Sequence, residues 1–310
     1  MQKDTKNTIK IAYACNDGYI VPLCTSIKSL TENISLKTNL EIYILHDKTR
    51  LSLKNQKVIS KIFNKKNCSI NFICVDNCIF NNLTIPQGYW WSEEIFYRLA
   101  LASLIKNSDK ILYLDCDTIL LGDLDEFLNT NIDDYYIAAV EDSNYIESSK
   151  RLKIEEYYNS GVILFNLKKI REDKVEPKFF DFVQKNQEIL ICPDQDVLNV
   201  VLAGNIKRIS DIWNTQQYTL DYIDCKSSNI KIFHYTGNLK PWNAEYTYKN
   251  KINFFKYFNK LPLLFRIKYY YYPLRNQLLK TYRKKLIWYY KSEKTLILFN
   301  KFKIRLNKFR

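Results

Sequence analysis

Glycine and proline are scarce, with six and seven in 310 residues. That excludes a collagen-like, loop-rich or low-complexity chain. Histidine is scarcer still: only His46 and His234 occur. The eight cysteines include no C-x-x-C pair, and no histidine lies close enough in sequence to complete zinc-ligand spacing. A chain this long needs no disulfide staples, so reduced thiols in a cytosolic protein are expected. No apolar run reaches about 18 residues, so no transmembrane helix is expected. The apolar stretch 9–15 is short and is broken by Asn16 and Asp17, so no signal peptide is expected either. Acidic residues nearly vanish from 251–310, where seventeen Lys and Arg meet one acid, Glu293. That segment carries +16 of an overall +14, which leaves the first 250 residues at −2. The basic character therefore belongs to the tail, and the body is near neutral.

What is present is an alternation of period. Residues 9–14, 40–45, 70–75, 111–114, 135–140 and 230–233 read as strands. Residues 20–30, 51–63, 93–105 and 194–202 read as helices. Such alternation predicts an α/β fold, with a mostly parallel sheet covered by helices on both faces. Ligands of these sheets bind beyond the carboxyl ends of the strands. After about residue 250 the alternation stops. The chain is accordingly divided into a catalytic body, 1–250, and a basic aromatic segment, 251–310.

The segment "KILYLDCDTILLGDLDEF" (110–127) places two acids, Asp115 and Asp117, at such a strand end. Residues i and i+2 of a strand share a face, and neighbouring carboxylates repel unless a cation lies between them. Mg²⁺ or Mn²⁺ would suit them. The bland reading is a solvated turn or a helix cap. His234 ends its own strand in "IFHYTGNLKPWN", and imidazole is a good Mn²⁺ ligand. Gly237 lets backbone approach a phosphate, and Lys240 neutralises one. His46 is expected to be structural. "CPDQDVLN" puts Asp194, Gln195 and Asp196 at a helix start, where acids are also ordinary caps. "NSGV" (159–162) reads as a turn by composition.

Five segments occur in order: "IAYACNDGY", "KILYLDCDTILLGDL", "YYNSGVILFNLKKIR", "CPDQDVLN" and "HYTGNLKPW". Together they resemble glycosyltransferase family 8, most closely its bacterial lipopolysaccharide galactosyl- and glucosyltransferase branch. The resemblance spans about residues 9–243. It implies a GT-A fold, a UDP-hexose donor, Mn²⁺ with Mg²⁺ as the alternative, and transfer with retention of configuration. It implies Asp115, Asp117 and His234 as metal ligands. Asn16 would face the uracil, Tyr19 would stack on it, and Ala14 and Gly18 would line the nucleotide pocket. Cys116, between the two acids, falls among the donor-binding residues with Arg98, Asn159 and Ser160. Asp194 would hold sugar hydroxyls, and Gln195 would sit beside the reacting carbon. Gly237 and Lys240 would bind the diphosphate. The first segment has Asn16 and Gly18 where the pattern usually has Asp and Asn. The implied acceptor is a lipopolysaccharide, lipooligosaccharide or other surface glycan.

At 100° per residue, Lys280, Arg283, Lys284, Lys291 and Lys294 fall within an arc of roughly 100°. Leu278, Tyr282, Leu286, Tyr289, Leu296 and Ile297 lie opposite. This predicts a basic amphipathic helix of membrane-surface type. The expected location is peripheral, on the cytoplasmic face of the inner membrane. A nucleic-acid-binding protein would also use a basic aromatic tail. It leaves Asp115, Asp117, His234 and Lys240 unexplained in a near-neutral body, so nucleic acid is not expected as a partner. A sugar-nucleotide nucleotidylyltransferase would want a Gly-rich phosphate loop after the first strand. Here that loop, "CNDGYIVPL", has a single glycine.

Overall fold

The computed structural model describes residues 8–76, 92–217, 229–243 and 245–271. Seven strands form the main sheet: β1 (Thr8–Ala14), β2 (Asn39–His46), β3 (Cys68–Cys74), β4 (Lys110–Leu114), β6 (Ile137–Glu141), β7 (Tyr158–Asn166) and β8 (Ile206–Arg208). A smaller sheet joins β5 (Thr118–Leu120), β9 (Thr215–Gln216) and β10 (Ile232–His234). The main order is β3-β2-β1-β4-β7-β6-β8. β7 is antiparallel to both of its neighbours, and the remaining pairs are parallel. This is the expected GT-A arrangement, a mostly parallel mixed sheet with helices around it. Every residue of β7 is buried, and so are the last four of β4. Strands covered on both faces read as continuous apolar runs, which is why 111–114 and 162–165 show no alternation.

Two features of the topology position the functional residues. β1 and β4 are parallel neighbours, with Ile11 opposite Leu112 and Ala12 opposite Tyr113. Their carboxyl ends therefore deliver Asn16 and the Asp115-Cys116-Asp117 link side by side. β7 runs the other way, so its amino-terminal half emerges at that same edge, with the Asp115 N–H donating to Gly161 O at 2.7 Å. Asn159–Ser160–Gly161, which reads as a turn by composition, is thus strand. Its polar side chains are paired within the protein rather than solvated.

Other expectations need correction. Asp115 and Asp117 do not share a strand face, because β4 stops at Leu114. They sit in a tight link closed by the Thr118 N–H and hydroxyl, both donating to Asp115 O at 3.2 and 2.8 Å. Residues 93–105 are not one α-helix. Glu93–Ala100 is a 3₁₀-helix, followed by one α-turn, Leu101–Leu104. β5, β8 and β9 are too short to leave a periodic signal.

The chain divides after Leu261, not after residue 250. The helix Lys251–Phe258 buries Phe254, Tyr257 and Phe258 in the first unit. Asn33 Nδ2 donates to the Tyr257 hydroxyl at 2.8 Å, and Tyr235 donates its hydroxyl to Asn250 O at 2.7 Å. The change of composition at 250 records surface charge, while the aromatics beneath it are core. In the second unit, Pro262–Arg310, the described part ends at Tyr271. There Phe265 stacks on Tyr269, while Leu264 is 81% exposed. The amphipathic stretch 278–297 lies outside the described residues. Among the described residues no helix is long and apolar enough to cross a membrane.

Candidate active site

A cleft of about 620 Å³ opens at the carboxyl edge of the main sheet, within the size range of small-ligand sites. One side chain each from Asp115, Asp117 and His234 converges there, with their ligand atoms within 4.8 Å of one another. β10 pairs antiparallel with β5, setting His234 opposite Thr118. That register places His234 Nε2 3.3 Å from Asp117 Oδ1 and 3.8 Å from Asp115 Oδ2. Gly161 sits directly against this pair. A Cβ there would overlap His234 Cε1 and lie 2.7 Å from Asp115 Oδ2.

Two buried cations hold the acids. Arg98 donates from Nη2 to Asp115 Oδ1 at 2.8 Å, and its Nε lies 3.1 Å from Asp194 Oδ2. Its Nη1 reaches Ser160 O, and its guanidinium lies 4.4 Å from the Tyr113 ring centroid. Burial works against the Arg98 charge, but Asp115 and Asp194 outweigh it and raise its pKa further. Lys240 Nζ donates to Asp117 Oδ2 and to Tyr235 O. Burial opposes ionisation of Asp117. Lys240 and His234 prevail and hold its carboxyl well below the usual carboxylate range. For Asp194 burial wins: its carboxyl is pushed up to about 6, with Arg98 opposing and Asp115 reinforcing the rise.

Three carboxylates thus share two cations, leaving a negative charge that a divalent ion would offset. The donor set of two carboxylates and one imidazole suits Mn²⁺. The buried Thr236 hydroxyl has no partner among the described residues, and it lies next to Gly237, whose φ of +80° only glycine adopts readily. Both line the cleft beside Lys240. An orphaned hydroxyl, a left-handed glycine and a lysine make a fitting place for phosphate oxygens.

The cleft gathers Ala14, Asn16, Tyr19, Arg98, Asp115, Cys116 and Asp117 from the first half of the chain. From the second half come Asn159, Ser160, Asp194, Gln195, His234, Gly237 and Lys240. Gly18 is the exception among the expected residues: it is exposed and outside the lining. Its N–H donates to Asn16 Oδ1 at 2.9 Å, so its part is to seat the 3₁₀ turn Asp17–Tyr19. His46 is buried against its own backbone, with Nδ1 3.0 Å from Asp47 O. In "CPDQDVLN" the roles separate. Asp196 Oδ2 accepts from the N–H groups of Ile191 and Cys192 and ties the segment before the helix Pro193–Val201 to its first turns. Asp194 and Gln195 face the cleft.

Sequence reasoning missed Gly161, Asp142 and Asn214. Asp142 follows an apolar strand just as Asp115 does, so "IAAVED" carried a usable signal. Asn214 had none, because it follows a single 3₁₀ turn, Asp211–Trp213.

The family model for Glycosyl transferase family 8 matches residues 10–246. A lipopolysaccharide 1,2-glucosyltransferase of Escherichia coli is 27% identical over 84% of this chain and 80% of its own length. General stress protein A of Bacillus subtilis (strain 168) is 24% identical over 83% and 94%. The crystal structure of the galactosyltransferase LgtC, in complex with donor and acceptor sugar analogs, superposes with a TM-score of 0.74 at 23% identity. It covers 83% of this chain and 99% of that one. The match spans β1 to the loop after His234, and so includes every element that brings a side chain into the cleft: this chain is a glycosyltransferase of family 8.

Proposed function

We propose that the protein transfers a hexose, galactose or glucose, from a UDP-sugar to a hydroxyl of a lipopolysaccharide, lipooligosaccharide or other surface glycan, with retention of configuration. The observation that carries this reading is the convergence of Asp115, Asp117 and His234 beside Gly237 and Lys240. The E. coli relative's own activity supports the acceptor class. Asp115, Asp117 and His234 would hold the metal ion, Mn²⁺ or Mg²⁺. When bound, that ion supplies Lewis-acid stabilisation of charge on the departing diphosphate.

The chain's own residues do the rest. Asn16 and Tyr19 receive the nucleotide base, and the cleft floor at Ala14 and Cys116 receives the ribose side. Thr236, Gly237 and Lys240 receive the diphosphate, where the lysine's charge opposes the negative charge that grows there. Arg98, Asn159, Ser160 and Asp194 surround the sugar. The bond from anomeric carbon to UDP oxygen breaks, the bond from that carbon to the acceptor oxygen forms, and the acceptor proton passes to the leaving phosphate. Gln195 offers an amide oxygen to the electron-poor carbon. No carboxylate of the cleft is assigned as a covalent nucleophile, so front-face attack is the mechanism proposed rather than a double displacement.

Screening UDP-sugars for slow Mn²⁺-dependent hydrolysis, without acceptor, tests the donor assignment. One sugar nucleotide should be cleaved well above the others, and the absence of hydrolysis with any of them counts against the reading. With acceptor, an α-configured donor should give an α-linked product. The anomeric proton coupling in the product's NMR spectrum reads this directly, and a β-linkage overturns the retaining assignment.

The basic tail is assigned to attachment on the cytoplasmic face of an anionic membrane. Each Lys or Arg near such a surface contributes about 1 kcal/mol, screened by salt. The supporting facts are the +16 charge of 251–310 and the exposed Leu263 and Leu264 that open the second unit. A chain ending at Leu261 should leave the membrane fraction and keep UDP-sugar hydrolysis, while losing rate on membrane-bound acceptor. Pelleting of that shortened chain as efficiently as the intact one places the anchor elsewhere.

A further inference from the structure

Asp142 lies outside every motif that points to the cleft chemistry, yet two functional side chains trace back to it. Its Oδ2 accepts from Gln195 Nε2 at 3.2 Å and from Asn159 Nδ2 at 2.9 Å. Asn159 Oδ1 in turn accepts from Asn214 Nδ2 at 2.9 Å, and Asn214 Oδ1 lies 3.0 Å from His234 Nδ1. All five residues are buried.

The polarity of this chain is not arbitrary. An amide can be turned end for end, so its orientation must be argued from partners that allow no choice. Three such partners are present. The Gly161 N–H can only donate, and it donates to Asn159 Oδ1 at 2.9 Å. The Ser160 N–H does the same to Gln195 Oε1 at 2.9 Å. The Asp142 carboxylate can only accept. Asn159 is therefore fixed with its oxygen toward Asn214, Asn214 with its oxygen toward His234, and His234 with its proton on Nδ1. Reversing Asn159 or Gln195 sets donor against donor at the Gly161 or Ser160 N–H and acceptor against acceptor at Asp142, and reversing Asn214 sets its oxygen against Asn159 Oδ1. The chain fixes a proton on Nδ1, so when Nε2, the nitrogen that faces Asp115 and Asp117, gives up its proton to a metal ion, the ring is left as the Nδ1–H tautomer. A metal-binding histidine needs that tautomer.

We propose that Asp142 is a positioning residue that sets two things at once: the metal-binding tautomer of His234, through Asn159 and Asn214, and the orientation of the Gln195 amide. The inference rests on the reading of Asp115, Asp117 and His234 as a divalent-metal site. One carboxylate thus keeps the leaving-group side of the cleft and the reacting-carbon side in register.

The test uses the full chain. In the metal-free ¹⁵N-labelled protein the two histidines give two ring systems in a long-range ¹H–¹⁵N spectrum, with His234→Ala making the assignment. His234 should carry a proton on Nδ1, whether or not Nε2 is protonated as well. Asp142→Asn keeps the shape but brings a second donor either to the Asn144 N–H, which now bonds Asp142 Oδ1 at 2.9 Å, or to Asn159 and Gln195. Asn214→Leu removes the acceptor facing His234 together with the Nδ2 donor to Asn159 Oδ1, and leaves the bond between Asp142 and Gln195 in place. Both variants should shift the His234 tautomer and weaken Mn²⁺ binding, read by electron paramagnetic resonance of the free ion, by about 10–100-fold. Turnover at saturating Mn²⁺ should fall further in Asp142→Asn than in Asn214→Leu, since only the first also releases Gln195. Unchanged His46 resonances report an intact fold. If Asp142→Asn fails to fold, Asn214→Leu still supplies the tautomer and affinity readings. A wild-type ring protonated on Nε2 alone, or variants with wild-type tautomer and Mn²⁺ affinity, overturns the proposal. If the wild type has the Nδ1 proton but no Mn²⁺ affinity, the metal reading fails instead.

Discussion

Replacing Asp117 by Asn should lower UDP-sugar turnover at least about 100-fold, close to 3 kcal/mol of transition-state stabilisation. Asp117 is the most constrained member of the cluster. Its Oδ1 faces His234 Nε2 at 3.3 Å, and its Oδ2 is paired with Lys240. The carboxyl stays ionised across the physiological range because Lys240 and His234 overcome the burial that would otherwise protonate it. The amide keeps the shape and removes the charge. Two losses follow: a ligand for a hard cation, and the partner of a buried lysine. Breaking a buried ion pair on one side costs about 3–5 kcal/mol, so some loss of stability should accompany the kinetic effect. The two separate by experiment. Thermal denaturation reads the first, and turnover of the folded fraction against Mn²⁺ concentration reads the second. Excess EDTA on the wild-type protein should reproduce the kinetic loss, and full activity in EDTA would rule out the metal role.

Gly161→Ala should be nearly as damaging, although it changes no charge and removes no hydrogen-bonding group. The Gly161 N–H and C=O are both used, the first donating to Asn159 Oδ1 and the second accepting from the Asp115 N–H at 2.7 Å. The backbone therefore cannot retreat without breaking the β4–β7 pairing. The added methyl would overlap the His234 ring and crowd the Asp115 carboxylate. The ring is held from behind by Asn214, so it must tilt away from Asp115 and Asp117. A displacement of about 1 Å at a reacting centre typically costs 100-fold in rate, and that is the size of effect expected here. The loss should appear in Mn²⁺ affinity as well as in turnover. A G161A protein with wild-type Mn²⁺ binding and wild-type rate would mean the strand yields more easily than its hydrogen bonds suggest.

These two residues differ in how far the sequence announced them. Asp117 stands in "LDCDT" after an apolar strand, a local pattern that needs no knowledge of the fold. His234 stood out by scarcity and by its place at another strand end. The α/β class, the parallel strands 9–14, 40–45 and 111–114, and the order of the chemistry-bearing segments were legible for the same reason. Periodicity and composition are properties of neighbours in sequence. Element lengths were less legible where packing overrode propensity, as in the 3₁₀ segment Glu93–Ala100. There Tyr97, Arg98 and Leu99 are all buried at consecutive positions, a pattern with no amphipathic stripe to read.

Gly161 and Asn214 were invisible for a different reason, and Asp142, although an apolar strand precedes it, gave no sign of its partners. Their importance lies in pairs separated by long stretches of chain: Gly161 against His234, Asp142 against Gln195, Asn214 against Asn159. Those pairs exist because β7 enters the sheet antiparallel between β4 and β6, and because β10 returns beside β5. Strand order and direction arise from how apolar faces cover one another across the whole body, which no local stretch records. The boundary at Leu261 follows the same rule, since Phe254, Tyr257 and Phe258 become core only once the helix that carries them meets Ile20–Asn33. By itself, then, the sequence determined the class of fold, the acids and the histidine, because those are written in local pattern and residue type. The tertiary structure alone decided which glycine may hold no side chain, which carboxylate stands behind the amides, and where the body ends, because close packing fixes those by contacts between distant parts of the chain.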